Sequence, residues 1–118
     1  MIYSVADAAD VPPGSMIHVE LEGRMIAVYN CDGDFYATDD VCTHRRARLS
    51  DGFLEGRTVQ CPLHFGKFDV ATGEPQNPPC TQPLTTYPVI LDIERLLVEI
   101  PDPDAAAVAG SPPDGDEQ

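Results

Sequence analysis

The chain has 118 residues, of which 42% are hydrophobic, and a formal net charge of −13 at pH 7. This length suits a single domain with a modest core. The charge excludes a generic nucleic-acid binder, which needs a basic surface to meet phosphates. No stretch approaches the roughly 18 consecutive apolar residues of a membrane helix. Residues 1–10 carry acids in place of the basic and apolar segments of a signal peptide, so we expect a cytoplasmic protein without a membrane anchor.

The first third of the chain is typical of short β-strands joined by tight turns. Residues 16–21 and 24–29 are rich in β-branched and apolar side chains, and the Glu-Gly pair at 22–23 between them is a hairpin signal. A second turn at 31–34 leads into another strand at 35–38. Long helical periodicity is absent, so the pattern predicts an all-β protein, a small antiparallel β-sandwich or partly open barrel.

The last third alternates irregular and strand-like segments. Residues 73–83 contain four prolines and predict a stiff loop, because proline fixes φ and removes a hydrogen-bond donor. Residues 86–100 predict two more apolar strands joined around residues 92–95. The remaining residues, 101–118, contain four prolines, five acids and no basic residue, which predicts a disordered tail.

Cysteine and histidine occur together in two short clusters between the two strand-rich regions. Cys42 lies with His44 and Cys61 lies with His64, and sixteen residues separate the two pairs. Disulfides need an oxidising compartment, so without an export signal metal binding is the better interpretation of these clusters. The two cysteines outside the clusters, Cys31 and Cys80, are predicted to be small buried apolar residues.

The ligand spacing bears on which metal is bound. Ligands within one zinc knuckle are usually separated by two to four residues, whereas one residue separates Cys42 from His44. In an extended segment such side chains lie roughly 6.5 Å apart, so a pair of irons needs less distortion than one ion does. A [2Fe–2S] centre with two cysteines and two histidines fits this spacing. A zinc site, which also accepts two cysteines and two histidines, remains the alternative.

The two clusters and their surroundings resemble a known family. The pattern is C-x-H, then sixteen residues, then C-x-x-H, and the neighbouring stretches are RLSDGFLEG and CPLHFGKFDVATGEP. Together they resemble the Rieske-type ferredoxins of bacterial aromatic ring-hydroxylating dioxygenase systems. The resemblance covers residues 1–100 and implies the Rieske fold, with the cluster held by loops at 42–49 and 61–68. The proline-rich loop at 75–83 would cover the cluster, and Gly66 and Gly73 would be turn positions that let the second loop fold under it.

The resemblance also implies a role for each ligand. Cys42 and Cys61 would bind the inner iron as thiolates. His44 and His64 would bind the outer iron through neutral imidazoles and expose their remaining ring nitrogens at the tip of the domain. The third histidine, His18, lies in a strand-like run far from both clusters in the sequence and is expected to be structural.

The family implies an electron carrier rather than an enzyme. Such ferredoxins are monomers that accept single electrons from a flavin-containing NAD(P)H-dependent reductase and deliver them to a terminal oxygenase. Residues 42–67 carry a net charge of +3 against −16 for the rest of the chain, so docking on acidic partner surfaces is expected there. The predicted docking residues are His44, His64, Arg45, Arg46 and Lys67. Two alternatives are the Rieske small subunit of an NAD(P)H-dependent nitrite reductase and a zinc-holding interaction module.

The neighbours of the ligands predict a low reduction potential. Two neutral imidazoles in place of two thiolates make the oxidised cluster less negative, which raises its potential into a range of about −150 to +300 mV. High-potential Rieske proteins add a loop-tying disulfide, and a serine and a tyrosine that donate hydrogen bonds to sulfur. The corresponding positions here are Ala47, Leu63, Gly66 and Phe68, none of which can supply these contacts. We therefore expect a potential near the low end, about −150 mV.

Overall fold

The protein is described by a computed structural model that covers residues 1–41, 47–62, 66–76 and 82–100. Within these ranges it consists of antiparallel β-sheets with two single-turn 3-10 helices, so the predicted all-β class is confirmed. No helix in these ranges is long and apolar enough to cross a membrane. The strands are β1 (Ile2–Asp7), β2 (Met16–Leu21), β3 (Arg24–Cys31), β4 (Asp34–Asp39), β5 (Phe53–Glu55), β6 (Thr58–Gln60), β7 (Lys67–Asp69), β8 (Thr86–Tyr87), β9 (Val89–Asp92) and β10 (Arg95–Glu99).

The largest sheet has the strand order β2-β3-β4-β8, and local turn chemistry builds most of it. Both residues of the β2–β3 turn have positive φ, 53° at Glu22 and 77° at Gly23. The β3–β4 turn repeats this geometry with 56° at Asp32 and 95° at Gly33. Two consecutive positive φ angles give the turn whose twist matches that of the flanking strands. The two predicted turns are therefore confirmed.

The second sheet, with the order β1-β10-β9, joins the two ends of the described domain. The sequence patterns did not identify β1, which pairs with β10 from Ile2 opposite Glu99 onwards. The prediction of two strands joined around residues 92–95 is confirmed by β9 and β10, but it missed a short third strand, because Pro88 divides the run. Residues before the proline form β8 in the large sheet, and residues after it form β9 in this one. The turn between β9 and β10 lies at residues 93–94, inside the predicted region.

Strand β3 lies at the centre of the domain, because both of its faces are buried. Ile26 and Val28 face one hydrophobic cluster, which the large sheet forms with the β1-β10-β9 sheet. Ala27, Tyr29 and Cys31 face a second cluster, formed with the third sheet. Cys31 is 5% exposed within this cluster, which confirms its prediction as a small buried residue.

The third sheet is small and positions the candidate site. It has the order β5-β6-β7, and Pro75 adds an isolated antiparallel bridge to Phe68. Gln60, the last residue of β6, is paired with Phe53 on one side and with Lys67 on the other. Cys61 follows Gln60 directly, so this end of the sheet, called here the cysteine end, leads into the second predicted cluster loop.

Candidate metal centre

The structure describes one of the four predicted ligands. Cys61 is fully buried, whereas Cys42, His44 and His64 lie outside the described residues. Among the residues that are described, no group of three or more histidine, cysteine, aspartate or glutamate side chains is placed to hold a metal ion. The candidate site is therefore described by the segments that flank the two predicted loops.

The second loop begins and ends on adjacent strands. The backbone N–H of Cys61 donates to the carbonyl oxygen of Gly66 at 2.8 Å, so a hydrogen bond joins the points where the chain leaves and returns. Cys61 shares the second hydrophobic cluster with Val59 and Phe68, the residues two positions earlier on β6 and two positions after Gly66 on β7. Alternation along a strand places such residues on one face. The Cys61 side chain therefore lies on the core side of the sheet.

The first loop is closed in a similar way. Val41 and Arg48 form an antiparallel bridge, and the N–H of Leu49 donates to the carbonyl oxygen of Asp40 at 2.8 Å. Leu49 is fully buried in the same hydrophobic cluster as Cys61, and Ala47 packs against that cluster. Residues that flank the first loop thus pack together with Cys61, the first predicted ligand of the second loop.

A glycine brings the flanks of the two loops close together. A Cβ atom at Gly52 would lie 2.0 Å from the carbonyl oxygen of Gln60 and 3.0 Å from Cδ of Pro62. Only glycine allows so close an approach between the chain that leaves the first loop and the chain that enters the second. The tertiary structure therefore places the flanks of two clusters that are sixteen residues apart side by side.

The proline-rich segment approaches the same end of the sheet. The N–H of Gln76 donates to the carbonyl oxygen of Lys67 at 2.7 Å, which places residue 76 at the cysteine end. Gly73, with φ of 82°, makes the preceding turn, and a Cβ there would lie 2.2 Å from the carbonyl oxygen of Leu84. The predicted turn at Gly73 is confirmed. Residues 77–81 of the predicted cover over the cluster, which include Cys80, lie outside the described residues.

A buried carboxylate braces the first loop. The Asp40 side chain is fully buried and lies two residues before Cys42. It accepts the backbone N–H of Ser50 at 2.7 Å, the Ser50 hydroxyl at 2.6 Å and Nδ1–H of His18 at 2.6 Å, with Nε of Arg48 at 3.8 Å. Sequence reasoning missed Asp40 and Ser50. The available signal was an acid just before the first cysteine and a serine just after the loop.

His18 has the structural role expected of it, but it lies closer to the first loop than its place in the sequence indicated. The residue lies on β2, as its strand-like pattern indicated, and is remote from the clusters in sequence. In space, however, its ring bonds the carboxylate that holds the first loop. Antiparallel pairing of β2 with β3, and of β3 with β4, brings it there, and no local pattern reports such pairing.

The basic residues of the central segment do not all surround the site. Arg57 lies in the β5–β6 turn, at the opposite end of the small sheet from Cys61 and roughly 13 Å away at 3.3 Å per residue. The charge of Arg57 acts on Cys31 instead. Burial raises the pKa of the Cys31 thiol to about 11, and the positive charge of Arg57 opposes that rise. Arg48 and Lys67 are exposed near the two loops, whereas Arg45 and Arg46 lie outside the described residues.

These features fit a [2Fe–2S] cluster better than they fit an isolated core cysteine. Cys61 lies at the point where a strand ends and the second loop begins, beside the flanks of the first loop, which carries one cysteine and one histidine. Gly66 is buried opposite Cys61, and Phe68 is fully buried on the same face. Neither offers a hydroxyl to a sulfur atom, in agreement with the basis of the expected low potential. The potential itself stays a prediction.

Comparison with known proteins adds a family and close relatives. A family model described as the Rieske [2Fe-2S] domain matches residues 1–88. The ferredoxin component of the naphthalene 1,2-dioxygenase system from Pseudomonas aeruginosa is 47% identical over 91 residues, which cover 77% of this chain and 88% of the relative.

Solved structures give the same result. A chain in the complex of reduced oxygenase and oxidized ferredoxin of carbazole 1,9a-dioxygenase superposes with a TM-score of 0.80 and 41% identity, covering 82% of this chain and 91% of that chain. A small subunit described as part of an NADPH nitrite reductase superposes with a TM-score of 0.71 at 20% identity, covering 85% of this chain and 99% of that chain. At that identity the second likeness concerns the fold alone.

Proposed function

This chain belongs to the Rieske [2Fe-2S] family, as a ferredoxin component of aromatic ring-hydroxylating dioxygenase systems, and from this premise we propose its route of electron transfer. It accepts single electrons from a flavin-containing NAD(P)H-dependent reductase and delivers them to a terminal oxygenase, as a cytoplasmic monomer. The observation that carries the proposal is the 47% identity to a naphthalene dioxygenase ferredoxin over nearly the whole of that relative. A Rieske cluster supplies one-electron transfer when it is bound.

The proposed ligands are Cys42, His44, Cys61 and His64. The position of Cys61 at the cysteine end, beside the flanks of the first loop, supports this set. The domain that holds them would span residues 1–100, followed by an acidic tail at 101–118. The wall of the proposed cluster site on the Cys61 side is apolar, because Leu49, Val59 and Phe68 are fully buried around Cys61. Such a wall excludes water from the cysteine side, so electrons would pass through the histidine side.

Docking would then take place around His44 and His64, with Arg45, Arg46 and Lys67 orienting the partner. Of these residues the structure describes Lys67, which is exposed at the cysteine end next to Gly66. Charge at a surface mainly steers encounter and increases the association rate. One carrier must leave each of two partners in turn, so we expect a small and transient contact.

The first test is the cluster itself. Purified protein should be red-brown, contain two irons per chain and give the electron paramagnetic resonance signal of a Rieske centre after dithionite reduction. Cys61→Ser and His64→Ala should each abolish that signal. Colourless protein that carries zinc would contradict the proposal at its base.

The second test is electron delivery. Dithionite-reduced protein is mixed in a stopped-flow instrument with terminal oxygenases from naphthalene, biphenyl and carbazole dioxygenase systems. Oxidation of the ferredoxin by at least one of them is the expected result, with a rate that falls as salt rises. The combined variant Arg45→Glu with Arg46→Glu should react more slowly at low salt than the wild type. A stable complex with a large sirohaem protein, and no oxidation by any oxygenase, would favour the nitrite reductase subunit instead.

A further inference from the structure

Among the described residues, the outer face of the small sheet carries one exposed aromatic residue at the cysteine end. Phe53 is 63% exposed at the start of β5 and is paired with Gln60, the residue before Cys61. Gln60 is also paired with Lys67, whose carbonyl oxygen accepts the N–H of Gln76. Directly paired residues share a face of a sheet. These four residues therefore form one row on the outer face, called here the rim row.

The burial of the next row supports this assignment. Val59 and Phe68 are fully buried, and Leu54 is partly buried against the same hydrophobic cluster. Since side chains alternate along a strand, residues one position away point outward. The burial of Leu54, the next residue on β5, therefore keeps Phe53 on the solvent side. Phe53 could enter the core only if the strand register shifted by one residue.

The setting of Phe53 resembles that of an interface anchor. A single exposed apolar side chain is ordinary on a protein surface. This one lies next to Gly52, in the row nearest to the cluster loops, and the other members of the row are polar. An aromatic side chain surrounded by polar residues is the usual composition of a binding hot spot, where the surrounding residues exclude water.

We propose that Phe53 is the apolar anchor by which this ferredoxin docks on its terminal oxygenase. The inference rests on the proposed function and adds a docking residue to it. The oxygenase is the partner chosen because a 41% identical chain of the same fold occurs in a solved complex of oxygenase and ferredoxin. Electron delivery requires the cluster loops to face the oxygenase, and the rim row borders those loops at the cysteine end.

Phe53 and the nearby charges would act on different steps of docking. Exposed Lys67, in the same row, contributes to steering, which changes the association rate and weakens with salt. An apolar contact is made only after encounter and mainly slows dissociation. Loss of Phe53 should therefore weaken the complex by a factor that does not depend on ionic strength.

The test uses Phe53→Thr, which removes the ring and keeps a residue that favours strands. Leu91→Thr is the matched control, because Leu91 is 51% exposed on β9, an edge strand of a different sheet. Each reduced holoprotein is mixed in the stopped-flow instrument with the oxygenase that the wild type reduces fastest. The ferredoxin concentration at half-maximal rate is measured at low and high salt. We expect an increase of about tenfold for Phe53→Thr at both salt concentrations and no change for Leu91→Thr.

Further readouts keep the inference open to refutation. The midpoint potential and the electron paramagnetic resonance signal of Phe53→Thr should equal those of the wild type, because the ring lies outside the cluster surroundings. A changed potential, an unchanged half-maximal concentration or an equal loss in Leu91→Thr would overturn the inference. A loss confined to the reaction with the reductase would also overturn it. If the wild type reduces no oxygenase, the proposed function fails; if it does and Phe53→Thr behaves identically, only the anchor fails.

Discussion

Replacement of the buried carboxylate beneath the first loop by an amide should destabilise the protein strongly. Oδ1 of Asp40 accepts the backbone N–H of Ser50, and Oδ2 accepts both the Ser50 hydroxyl and Nδ1–H of His18. Asp40→Asn can keep the first bond but presents an NH₂ group to the other two donors. Hydrogen bonds to a charged group contribute about 1.5–3 kcal/mol each, and rotation of the serine hydroxyl recovers part of the loss. We expect the free energy of unfolding to fall by about 2–4 kcal/mol.

Such a loss is large against the roughly 5–15 kcal/mol of a typical domain. The assay is chemical denaturation of the holoprotein, followed by circular dichroism and by visible absorbance of the cluster. Because Asp40 holds the flank of the first loop, cluster absorbance should be lost at a lower denaturant concentration and at a faster rate than in the wild type. Asp51→Asn is the control, since Asp51 is an exposed acid in the neighbouring 3-10 turn and should change stability by less than about 0.5 kcal/mol.

A cycle of variants identifies the bonds responsible. If the carboxylate acts through its partners, Asp40→Asn combined with Ser50→Ala should cost less than the sum of the two single changes, with a coupling of about 0.5–3 kcal/mol. The same non-additivity is expected with His18→Gln. If Asp40→Asn proved as stable as Asp51→Asn and retained the cluster equally well, the reasoning would be refuted, because the buried hydrogen bonds would then contribute nothing.

Three further predictions concern the potential, one glycine and one thiol. Gly66→Ser combined with Phe68→Tyr should raise the midpoint potential by about 40–65 mV in a redox titration. This corresponds to a new hydrogen bond to sulfur that strengthens by about 1–1.5 kcal/mol on reduction. No shift with the cluster intact would show that these positions do not face the sulfurs. Gly73→Ala should lower the free energy of unfolding by clearly more than Gly33→Ala, because both glycines have positive φ but only Gly73 meets a backbone carbonyl, at 2.2 Å; equal losses would argue against the close approach. Cys31 should resist alkylation in the native protein at pH 8 and react faster towards pH 10, since burial raises its thiol pKa to about 11; rapid modification at pH 8, detected by mass spectrometry, would contradict that burial.

Features that depend on neighbouring residues could be predicted from the sequence. The Glu-Gly and Asp-Gly pairs favour positive φ at both turn positions, so the β2–β3 and β3–β4 turns were found with their locations. The spacing of the two cysteine and histidine clusters predicted a pair of irons, because one intervening residue suits two irons better than one tetrahedral ion. The motif and the stretches around it carried the resemblance to the family. Apolar alternation and the frequent prolines and glycines were sufficient to predict the all-β class.

Features that depend on distant pairing were decided by the tertiary structure. Strand β1 exists because Ile2 is paired with Glu99, a contact that no window of sequence contains. Pro88 separates β8 from β9, because its ring nitrogen has no N–H to donate to a strand ladder. The bond between His18 and Asp40 requires two successive strand pairings to bring the two side chains together. Side-chain chemistry sets what the ligands can bind, and long-range backbone hydrogen bonding sets which other residues surround and support them.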